Sequence, residues 1–471
     1  MYMVTEAIDY FIDKYSAARE LVKDADYTPI IITSGKVRKI SADMRDKAED
    51  KDKDKDKSEK QIVYEMKYDI IIVGGGASGL MLAAGTNLNN RRGLIVESTS
   101  HPGTKLLMSG GRHCNITHAG SVKDFPVKYG SGRAAVGDNS DKTSRDADKL
   151  RMRILRSCLY KHSNIELINW LEECGLPVIT NEEGRIFPAS MKAMDVLDLL
   201  VRQARKNGWE IGTDVKVIGF GEKSLEVMFK GGFETLSADK IVIACGGVTC
   251  PETGSDGSVL GLLGYDLGID VVEPRSALAQ VYVKDYPYRE LSGVSLSKVR
   301  VSVYERSETI NGAKSDGRKL AEECGDLLFT HDGFSGPAVL NISRWAEPGR
   351  IISFNYEKAI VVGAGSGEAL PRRFRKLLED RARGSAGDIK SKELAKLLTN
   401  DSYVVQSVDS RGMVSCGGVD LAEVEPQTME LKKCPGMYVI GEALDIDGAT
   451  GGYNLQLCYS TAMAVADVLS R

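Results

Sequence analysis

The sequence lacks an excess of charge of either sign. Lysine and arginine total 62, aspartate and glutamate total 66, and the formal net charge is −4. A globally basic nucleic-acid-binding protein is therefore excluded, so any binding to nucleic acid must use a local patch. No apolar run approaches the ~20 residues that cross a bilayer, and the N-terminal residues lack the basic-then-apolar order of a secretory signal. We expect a cytoplasmic protein that does not contact a membrane.

Paired cysteines are also missing. The nine cysteines are an odd number, and no Cys-x-x-Cys pair occurs among them. This argues against a disulfide framework and fits a reducing cytosol. His113, Cys114 and His118 lie close together, but a zinc site usually needs four ligands with paired spacing and no second cluster exists. We therefore expect no bound metal.

The remaining composition is ordinary, with 42% hydrophobic and 27% charged residues, and it excludes both collagen and a chain that is disordered throughout. At about 150 residues per domain, the length predicts two or three domains. Residues 1–66 are expected to form an appendage, because residues 47–60 are a solvated run of mixed charge that cannot bury apolar surface. We interpret it as a flexible tether, with a partner-binding arm as the alternative.

The 49 glycines, many of them in short clusters, carry the main functional signal. Residues 68–73 form a continuous β-branched run, typical of a parallel strand buried on both faces. Helical spacing follows over residues 78–88, and a second apolar strand, residues 93–96, ends at Glu97. This pattern predicts a β-α-β unit of about 30 residues.

Residues 74–79, GGGASG, match the Gly-x-Gly-x-x-Gly dinucleotide fingerprint in that context. Gly74 permits the tight turn, Gly76 lets the backbone approach a pyrophosphate, and Gly79 allows close packing of the helix on the strand. The phosphates would lie on free N–H groups at the positive end of the helix dipole. Glu97 could accept hydrogen bonds from both hydroxyls of the adenosine ribose.

Three later segments favour FAD over NAD. Residues 244–247, ACGG, end a strand after a small meander, as in flavoproteins whose chain crosses back over the FAD domain. Residues 438–442 form an apolar strand ending in glycine and an acid, suited to the ribityl chain or the pyrophosphate edge. Residues 447–454 open the last helix, whose N–H groups would stabilise the reduced ring at its N1/C2 carbonyl edge.

Several long segments carry a family resemblance. They are residues 105–117 (KLLMSGGRHCNIT), 184–188 (GRIFP), 245–257 (CGGVTCPETGSDG), 326–337 (DLLFTHDGFSGP), 417–419 with 426–429, and 441–454 (GEALDIDGATGGYN). From about residue 66 to 471 the chain resembles the BaiN-like (YhiN-like) FAD-dependent oxidoreductases, also labelled the aminoacetone oxidase family. The resemblance implies an α/β fold with a glutathione-reductase-like (Rossmann) FAD-binding domain, interrupted by an inserted β-rich domain and a small helical domain. We place the FAD-binding domain at residues 67–273 and 408–471, and the insertion at 274–407.

The fingerprint and the resemblance together define the expected site. Cofactor contacts are assigned to Gly74, Gly76, Ala77, Ser78, Gly79, Glu97, Lys105, Leu106, Ser109, Val215, Ala244, Gly246, Gly441, Glu442, Gly451, Gly452, Tyr453 and Asn454. Cys114 is a candidate proton donor beside the flavin, with an inert packed thiol as the alternative. His331, on a predicted loop of the insertion, could face the substrate or be a structural turn histidine.

One stretch departs from the family pattern, which usually reads Ser-Gly-Gly/Asn-Gly-Arg-Cys-Asn near the flavin. In this chain Arg112 stands where glycine is expected, and His113 stands where arginine is expected. The Cβ and long cation of Arg112 would restrict the backbone there, or the charge is displaced by one residue.

A second glycine-rich segment, residues 360–367 (IVVGAGSG), partly matches the dinucleotide fingerprint and so suggests a nicotinamide-binding site. Its third glycine comes one residue early, and no strand ending in an acid follows at the required distance. We interpret it as a glycine-rich turn. If NAD(P)H donates electrons, we expect it to dock transiently on the flavin face.

The sequence therefore predicts a flavoenzyme that transfers hydride between flavin N5 and a substrate. The resemblance implies two substrate classes: a uridine of large-subunit ribosomal RNA, reduced to dihydrouridine, or a small enone or aminoketone. A flavin-bound redox sensor or scaffold without turnover is a third hypothesis. The oligomeric state is not predicted.

Binding to ribosomal RNA would require a local cationic surface. Two helical segments are candidates: Arg151, Arg153, Arg156 and Lys161, and Arg372, Arg373, Arg375 and Lys376. For each segment, an ordinary solvated helix face is the alternative.

Overall fold

The computed structural model describes residues 66–132, 142–305, 309–310, 313–314, 317–361, 370–383 and 391–470. Its strands are β1 Met66–Val73, β2 Gly93–Val96, β3 Thr117–His118, β4 Tyr129–Gly130, β5 Val178–Thr180, β6 Arg185–Pro188, β7 Glu210–Gly212, β8 Lys216–Gly221, β9 Ser224–Phe229, β10 Gly232–Ile243, β11 Val271–Ala277, β12 Val281–Val283, β13 Ser295–Tyr304, β14 Thr309–Ile310, β15 Ala313–Lys314, β16 Lys319–Phe329, β17 Gly333–Ser335, β18 Ile351–Asn355, β19 Ile360–Val361, β20 Asp401–Val408, β21 Val414–Val419, β22 Met437–Val439 and β23 Asp447–Gly448. Its helices are α1 Ala77–Gly85, α2 Thr104–Met108, α3 Lys142–Lys161, α4 Asn164–Glu173, α5 Ala193–Lys206, α6 Ser258–Leu267, α7 Pro337–Ile342, α8 Arg372–Ala382, α9 Ser391–Thr399 and α10 Tyr453–Leu469. The predicted appendage, apart from Met66, and most of the glycine-rich segment 360–367 lie outside the described residues.

The largest apolar core surrounds a parallel sheet with the strand order β7-β2-β1-β10-β22. Ile70, Ile71 and Ile72 in β1 are all at most 1% exposed, as expected for a strand whose sheet is covered on both faces. The first half of β10 also pairs with the antiparallel meander β8-β9. This strand order is that of a doubly wound dinucleotide-binding sheet, and it confirms the predicted Rossmann-type α/β fold.

A second core lies inside a closed barrel. Six antiparallel strands follow the order β12-β17-β16-β13-β18-β20, and the barrel closes because β20 pairs with β12. Phe329, Phe334 and Phe354 fill it, and α8 adds the buried Phe374. This barrel, with the adjoining helices α8 and α9, is the β-rich and helical insertion that the sequence predicted.

The antiparallel pair β11–β21 joins the two units. The boundary placed at residues 273/274 falls within β11, and the one at 407/408 falls at the end of β20. The residue-level division into domains therefore stays a prediction. Among the described helices, none combines the length and the apolar character that crossing a membrane requires.

Candidate functional site

The turn between β1 and α1 leaves space for phosphates. Gly74 has φ +107°, and a Cβ there would lie 2.4 Å from the carbonyl oxygen of Ala244. A Cβ on Gly79 would lie 2.1 Å from the carbonyl oxygen of Gly74, whereas a Cβ on Gly76 would meet no atom within 4 Å. The turn is therefore tight on its inner side and open at Gly76, beside helix N–H groups that lack partners within the helix. These features fit a pyrophosphate.

Glu97 closes one side of this turn. Its side chain follows β2 and the residue is only 7% exposed. One carboxylate oxygen accepts the N–H of Gly75 at 2.8 Å, and the other accepts the N–H and the hydroxyl of Thr99, both at 2.8 Å. The Val215 N–H donates to the Glu97 carbonyl at 2.9 Å. The expected ribose acceptor is therefore fixed directly beside the glycine turn.

Two further residues predicted to contact the cofactor, Lys105 and Glu442, lie side by side. The Lys105 Nζ lies 2.9 Å from both carboxylate oxygens of Glu442, and it donates to the Thr249 hydroxyl at 2.8 Å. About a fifth of each side chain in the ion pair is exposed, 21% for Lys105 and 19% for Glu442. Lys105 and Glu442, which the sequence assigned separately as cofactor contacts, thus form an ion pair with each other.

The residue before Glu442 contacts the fingerprint helix. A Cβ on Gly441, which has φ +66°, would lie 1.9 Å from the Ser78 hydroxyl. Only glycine therefore fits where the segment after β22 crosses the first turn of α1. The crossing places Ser78 and Gly441, both assigned to the cofactor, in direct contact.

Sequence reasoning missed Thr249 and Ser415 as members of this site. The Ser415 N–H donates to Glu442 at 2.8 Å, and the Ser415 hydroxyl accepts the Val248 N–H at 2.8 Å. Thr249 belongs to the segment 245–257 that carried the family resemblance, and this was the available signal. Ser415 stands two residues before the glycine pair 417–418 and has no distinctive spacing of its own.

The start of α10 forms the second part of the site. Gly451 and Gly452 both have positive φ, and a Cβ on Gly452 would lie 2.5 Å from the carbonyl oxygen of Thr117. In the orientation that satisfies its neighbours, the Asn115 amide oxygen accepts the Gly452 N–H at 3.1 Å. The Thr117 hydroxyl donates to Gln456 at 2.6 Å. The segment around residues 109–117 therefore lies against the N-terminus of the last helix.

Tyr453 and Asn454 fix the loop that precedes α10. The Tyr453 ring stacks on His118 at 5.4 Å and meets the rings of Phe125 and Tyr129 edge-on. The Asn454 amide accepts the N–H of Gly448 at 2.8 Å and donates to its carbonyl at 2.9 Å. Both residues hold the loop in shape, and their assigned contacts with the cofactor stay predictions.

The two candidate catalytic residues lie in different parts of the molecule. Cys114 is fully buried in the core of the parallel sheet, and this burial raises the pKa of its thiol to about 11. Burial thus keeps the thiol protonated, which is compatible with both expected roles, a proton donor and an inert packed thiol. His331 is exposed in the turn between β16 and β17 of the barrel. A catalytic role for either residue remains a prediction.

The departure at Arg112 has a visible backbone signature. Gly110, Gly111 and Arg112 all have positive φ, at +54°, +64° and +74°. Arg112 thus adopts the left-handed conformation at the position where the family pattern expects glycine, and its side chain is exposed. His113 returns to φ −92° and its ring bonds the Met191 carbonyl at 2.9 Å.

Comparison with known proteins supplies the family. The model described as "HI0933-like protein Rossmann domain" matches residues 68–468. The chain belongs to this HI0933-like family. It is therefore an FAD-dependent oxidoreductase, and the resemblance drawn from the sequence segments is confirmed.

This chain matches two curated relatives over nearly their whole length. The "Ribosomal RNA dihydrouridine synthase" of Escherichia coli (strain K12) is 28% identical over 435 residues, which cover 86% of this chain and 98% of that protein. The "3-dehydro-bile acid delta(4,6)-reductase" of Clostridium scindens is 26% identical over 427 residues, which cover 83% and 96%. A solved 3-ketosteroid-delta4-(5alpha)-dehydrogenase from Rhodococcus jostii RHA1 aligns over 87% of this chain and 98% of that chain, at 14% identity and a TM-score of 0.44.

Of the two basic segments of this HI0933-like protein, only one is fully on the surface. On α3, Arg151 is 9% exposed and bonds the Tyr129 carbonyl, and Lys161 pairs with Asp467 at 2.6 Å. The first proposed patch therefore shrinks to Arg153 and Arg156, since Arg151 faces the core.

On α8 the buried residues Phe374 and Leu378 anchor the helix to the barrel. All four cations of the second segment point to solvent, and we call them the basic face: Arg372, Arg373, Arg375 and Lys376. Among the described residues, the ion pairs at this helix join Arg381 to Asp401 and Arg383 to Asp380, so no described carboxylate forms an ion pair with the basic face.

Proposed function

We propose that this protein reduces a carbon–carbon double bond conjugated to a carbonyl, and that its substrate is a uridine of large-subunit ribosomal RNA, which becomes dihydrouridine. The E. coli relative is named a ribosomal RNA dihydrouridine synthase and is matched over 98% of its length. When bound, FAD would supply the hydride through N5. NAD(P)H is the proposed electron donor, docking transiently on the flavin face.

The proposed placement of FAD uses both parts of the site. The open cradle at Gly76 and the N-terminus of α1 take the phosphates, and Glu97 accepts the ribose hydroxyls. Gly451 and Gly452 let the backbone at the start of α10 approach the flavin ring. The helix N–H groups there stabilise negative charge at the ring edge.

The observation that carries the choice of RNA is the basic face of α8. Four exposed cations lie within five consecutive residues, and no carboxylate pairs with them in the described part of the chain. Phosphate groups are the partners that a cationic strip without paired carboxylates attracts, because binding releases condensed counterions. The strip stands out in a chain whose net charge is −4.

A small enone is the second candidate substrate. The Clostridium scindens relative is named for the reduction of a 3-dehydro-bile acid, at 26% identity. The barrel has a cleft of about 470 Å³ lined by Tyr282, Tyr286 and Arg289, beside the turn that carries His331, and this volume is within the range of small-molecule sites. Uracil and an enone share a double bond conjugated to a carbonyl, so one hydride chemistry serves both.

The deciding experiment maps dihydrouridine in ribosomal RNA from a strain of the source organism that lacks the gene. We expect one or more dihydrouridines of the large subunit to disappear, and to return when the wild-type gene is restored. Complementation with a variant whose basic face is changed to glutamine should restore less modification at equal protein level. An unchanged modification map in the deletion strain would contradict the RNA substrate.

The alternatives are separated by turnover measurements on the purified protein. Reduction by NAD(P)H followed by repeated reoxidation with a steroid-type enone would support the small-molecule reductase. A flavin that is reduced once, with neither unmodified ribosomal RNA nor enones reoxidising it, would support the redox sensor or scaffold.

A further inference from the structure

A buried ion pair links the barrel to the loop before α10. Arg344 lies in a 3₁₀ turn, Ser343–Trp345, directly after α7, and Asp447 lies in β23. The Arg344 Nη1 is 2.7 Å from a carboxylate oxygen of Asp447, and it donates to the Asp447 carbonyl at 3.2 Å. The two side chains are 3% and 0% exposed. The contact is therefore shielded from water and holds both the charge and the backbone of Asp447.

The buried atoms of this ion pair have few other polar contacts, so removing one residue of the pair leaves the other poorly compensated. Apart from the ion pair, no hydrogen bond in the described part of the chain reaches either carboxylate oxygen of Asp447 or the Nε atoms of Arg344 and Arg275. Burial raises the pKa of Asp447, whereas the guanidinium groups of Arg344, Arg151 and Arg275 lower it. Because water does not screen Arg344 or Asp447, each of these two charges depends on the other for compensation.

The barrel contacts the same loop at a second point. The Thr450 N–H donates to the side-chain oxygen of Asn341, in α7, at 2.8 Å. Between these contacts, the Ala449 N–H donates to the Lys128 carbonyl at 2.9 Å. The α7 segment thus holds the loop at Asp447 and at Thr450, just before Gly451 and Gly452 open α10.

We propose that Arg344 is a positioning residue, which fixes the flavin-binding loop 447–452 through its ion pair with Asp447 and thereby couples the barrel to the cofactor. This inference rests on the proposed FAD site at the start of α10. When Arg344 is neutral, Asp447 loses the one cation of the described residues that contacts its carboxylate, so the loop rearranges toward water. The backbone at the start of α10 then no longer stands where the flavin ring needs it.

The test measures the FAD dissociation constant of the full-length protein after its flavin has been removed. We expect R344Q and D447N each to weaken FAD binding by about tenfold, an interaction size that double-mutant cycles find for contacting residues. The double variant R344Q/D447N has two neutral amides and no unpaired charge. It should bind within about threefold of the wild type. The visible circular dichroism of the bound flavin should change in each single variant and recover in the double variant.

R381Q is the matched control. Arg381 pairs with the buried Asp401 at 3.0 Å inside the barrel, away from the loop. This variant should lower the melting temperature and leave the FAD dissociation constant unchanged.

Several results would overturn the inference. These are wild-type FAD affinity in both single variants, a loss in the double variant equal to the sum of the single losses, or weakened FAD binding in R381Q. If a single variant does not fold, the double variant decides, because a tenfold loss there contradicts a role that depends on compensating charges. Failure of the wild type to take up FAD would instead remove the proposed cofactor site and the inference with it.

Discussion

The Lys105 ammonium lies 2.9 Å from both carboxylate oxygens of Glu442, although the two residues are 337 positions apart. The contact ties the segment after β2 to the segment after β22, at the edge of the sheet where FAD is proposed to bind. Thr249 and the backbone of Ser415 complete the network. The network therefore joins four separate parts of the chain around one polar centre.

Lys105→Met should destabilise the protein more than Glu442→Gln. Without Lys105, the Glu442 carboxylate keeps the N–H of Ser415 but loses its cation, and leaving a part-buried charge unpaired costs about 1–3 kcal/mol. Glu442→Gln keeps an oxygen that can accept from the Lys105 ammonium, which also retains its hydrogen bond to the Thr249 hydroxyl. Urea unfolding of both variants, with flavin absorbance as a second readout, checks the order. Equal stability of Lys105→Met and the wild type would contradict the role of the pair.

Glu97→Ala should weaken FAD retention by about tenfold or more, because hydrogen bonds to a charged acceptor are worth about 1.5–3 kcal/mol each. The occupancy of the purified protein is read from the ratio of flavin to protein absorbance. Glu97→Gln is the matched control, since it keeps one oxygen acceptor and a similar shape but removes the charge, and it should retain an intermediate amount of FAD. Full occupancy in Glu97→Ala would refute the ribose role.

The glycine turn allows cofactor binding and folding to be separated. A Cβ at Gly76 meets no protein atom, and its φ of −77° is ordinary for any residue. Gly76→Ala should therefore fold with normal or slightly higher stability, by at most about 1 kcal/mol. Its methyl group would occupy the proposed phosphate cradle, so FAD affinity should fall by about tenfold or more, which is ~1.4 kcal/mol.

Gly79→Ala provides the contrast. Its Cβ would lie 2.1 Å from a backbone oxygen, so this variant should lose about 1–3 kcal/mol of stability through overpacking. Thermal unfolding without added FAD distinguishes the two substitutions. If Gly76→Ala retains FAD as well as the wild type, the phosphates do not lie at this turn.

Arg112→Gly should stabilise the protein. A non-glycine residue in the left-handed conformation is strained by about 1–2 kcal/mol. Glycine relieves this strain, but its larger conformational entropy in the unfolded state offsets part of the stabilisation. We therefore expect a net increase of about 0.5–1 kcal/mol in the free energy of unfolding. His113→Gly, at φ −92°, should instead destabilise. Equal effects of the two substitutions in urea unfolding would show that backbone strain at Arg112 is not the cause.

The parallel sheet and its glycine turn could be predicted because their signals are local. A continuous run of β-branched residues at 68–73 defines the strand, and the spacing of Gly74, Gly76 and Gly79 defines the turn within the same stretch of chain. The barrel was anticipated only as a β-rich insertion. Its closure depends on pairing between β12 and β20, and no local pattern encodes such a distant partner.

The polar contacts of the site were also hard to predict, because they join residues that are far apart in the chain. Lys105 and Glu442 were both selected as cofactor contacts, but single charged residues carry no spacing that identifies their partner. The ion pair between Arg344 and Asp447, 103 positions apart, had no sequence signal at all. Arg151 did carry a signal: it lies three, four and seven residues before buried apolar side chains of α3, at positions 154, 155 and 158, which places it on the inner helix face.

Neutralising the basic face should weaken RNA binding without affecting the cofactor. We expect the R372Q/R373Q/R375Q/K376Q variant to bind fragments of ribosomal RNA less tightly, and to show a shallower dependence of affinity on salt. Each lost phosphate contact should lower the log–log slope by about 0.7 if the RNA is single-stranded.

R153Q/R156Q is the matched control, because both arginines are exposed on α3, outside the basic face. FAD content and melting temperature should match the wild type in both variants, since the helix remains anchored by Phe374 and Leu378. An unchanged salt slope in the fourfold variant would mean that any bound RNA contacts another surface. The basic face would then no longer support the choice of RNA over a small enone.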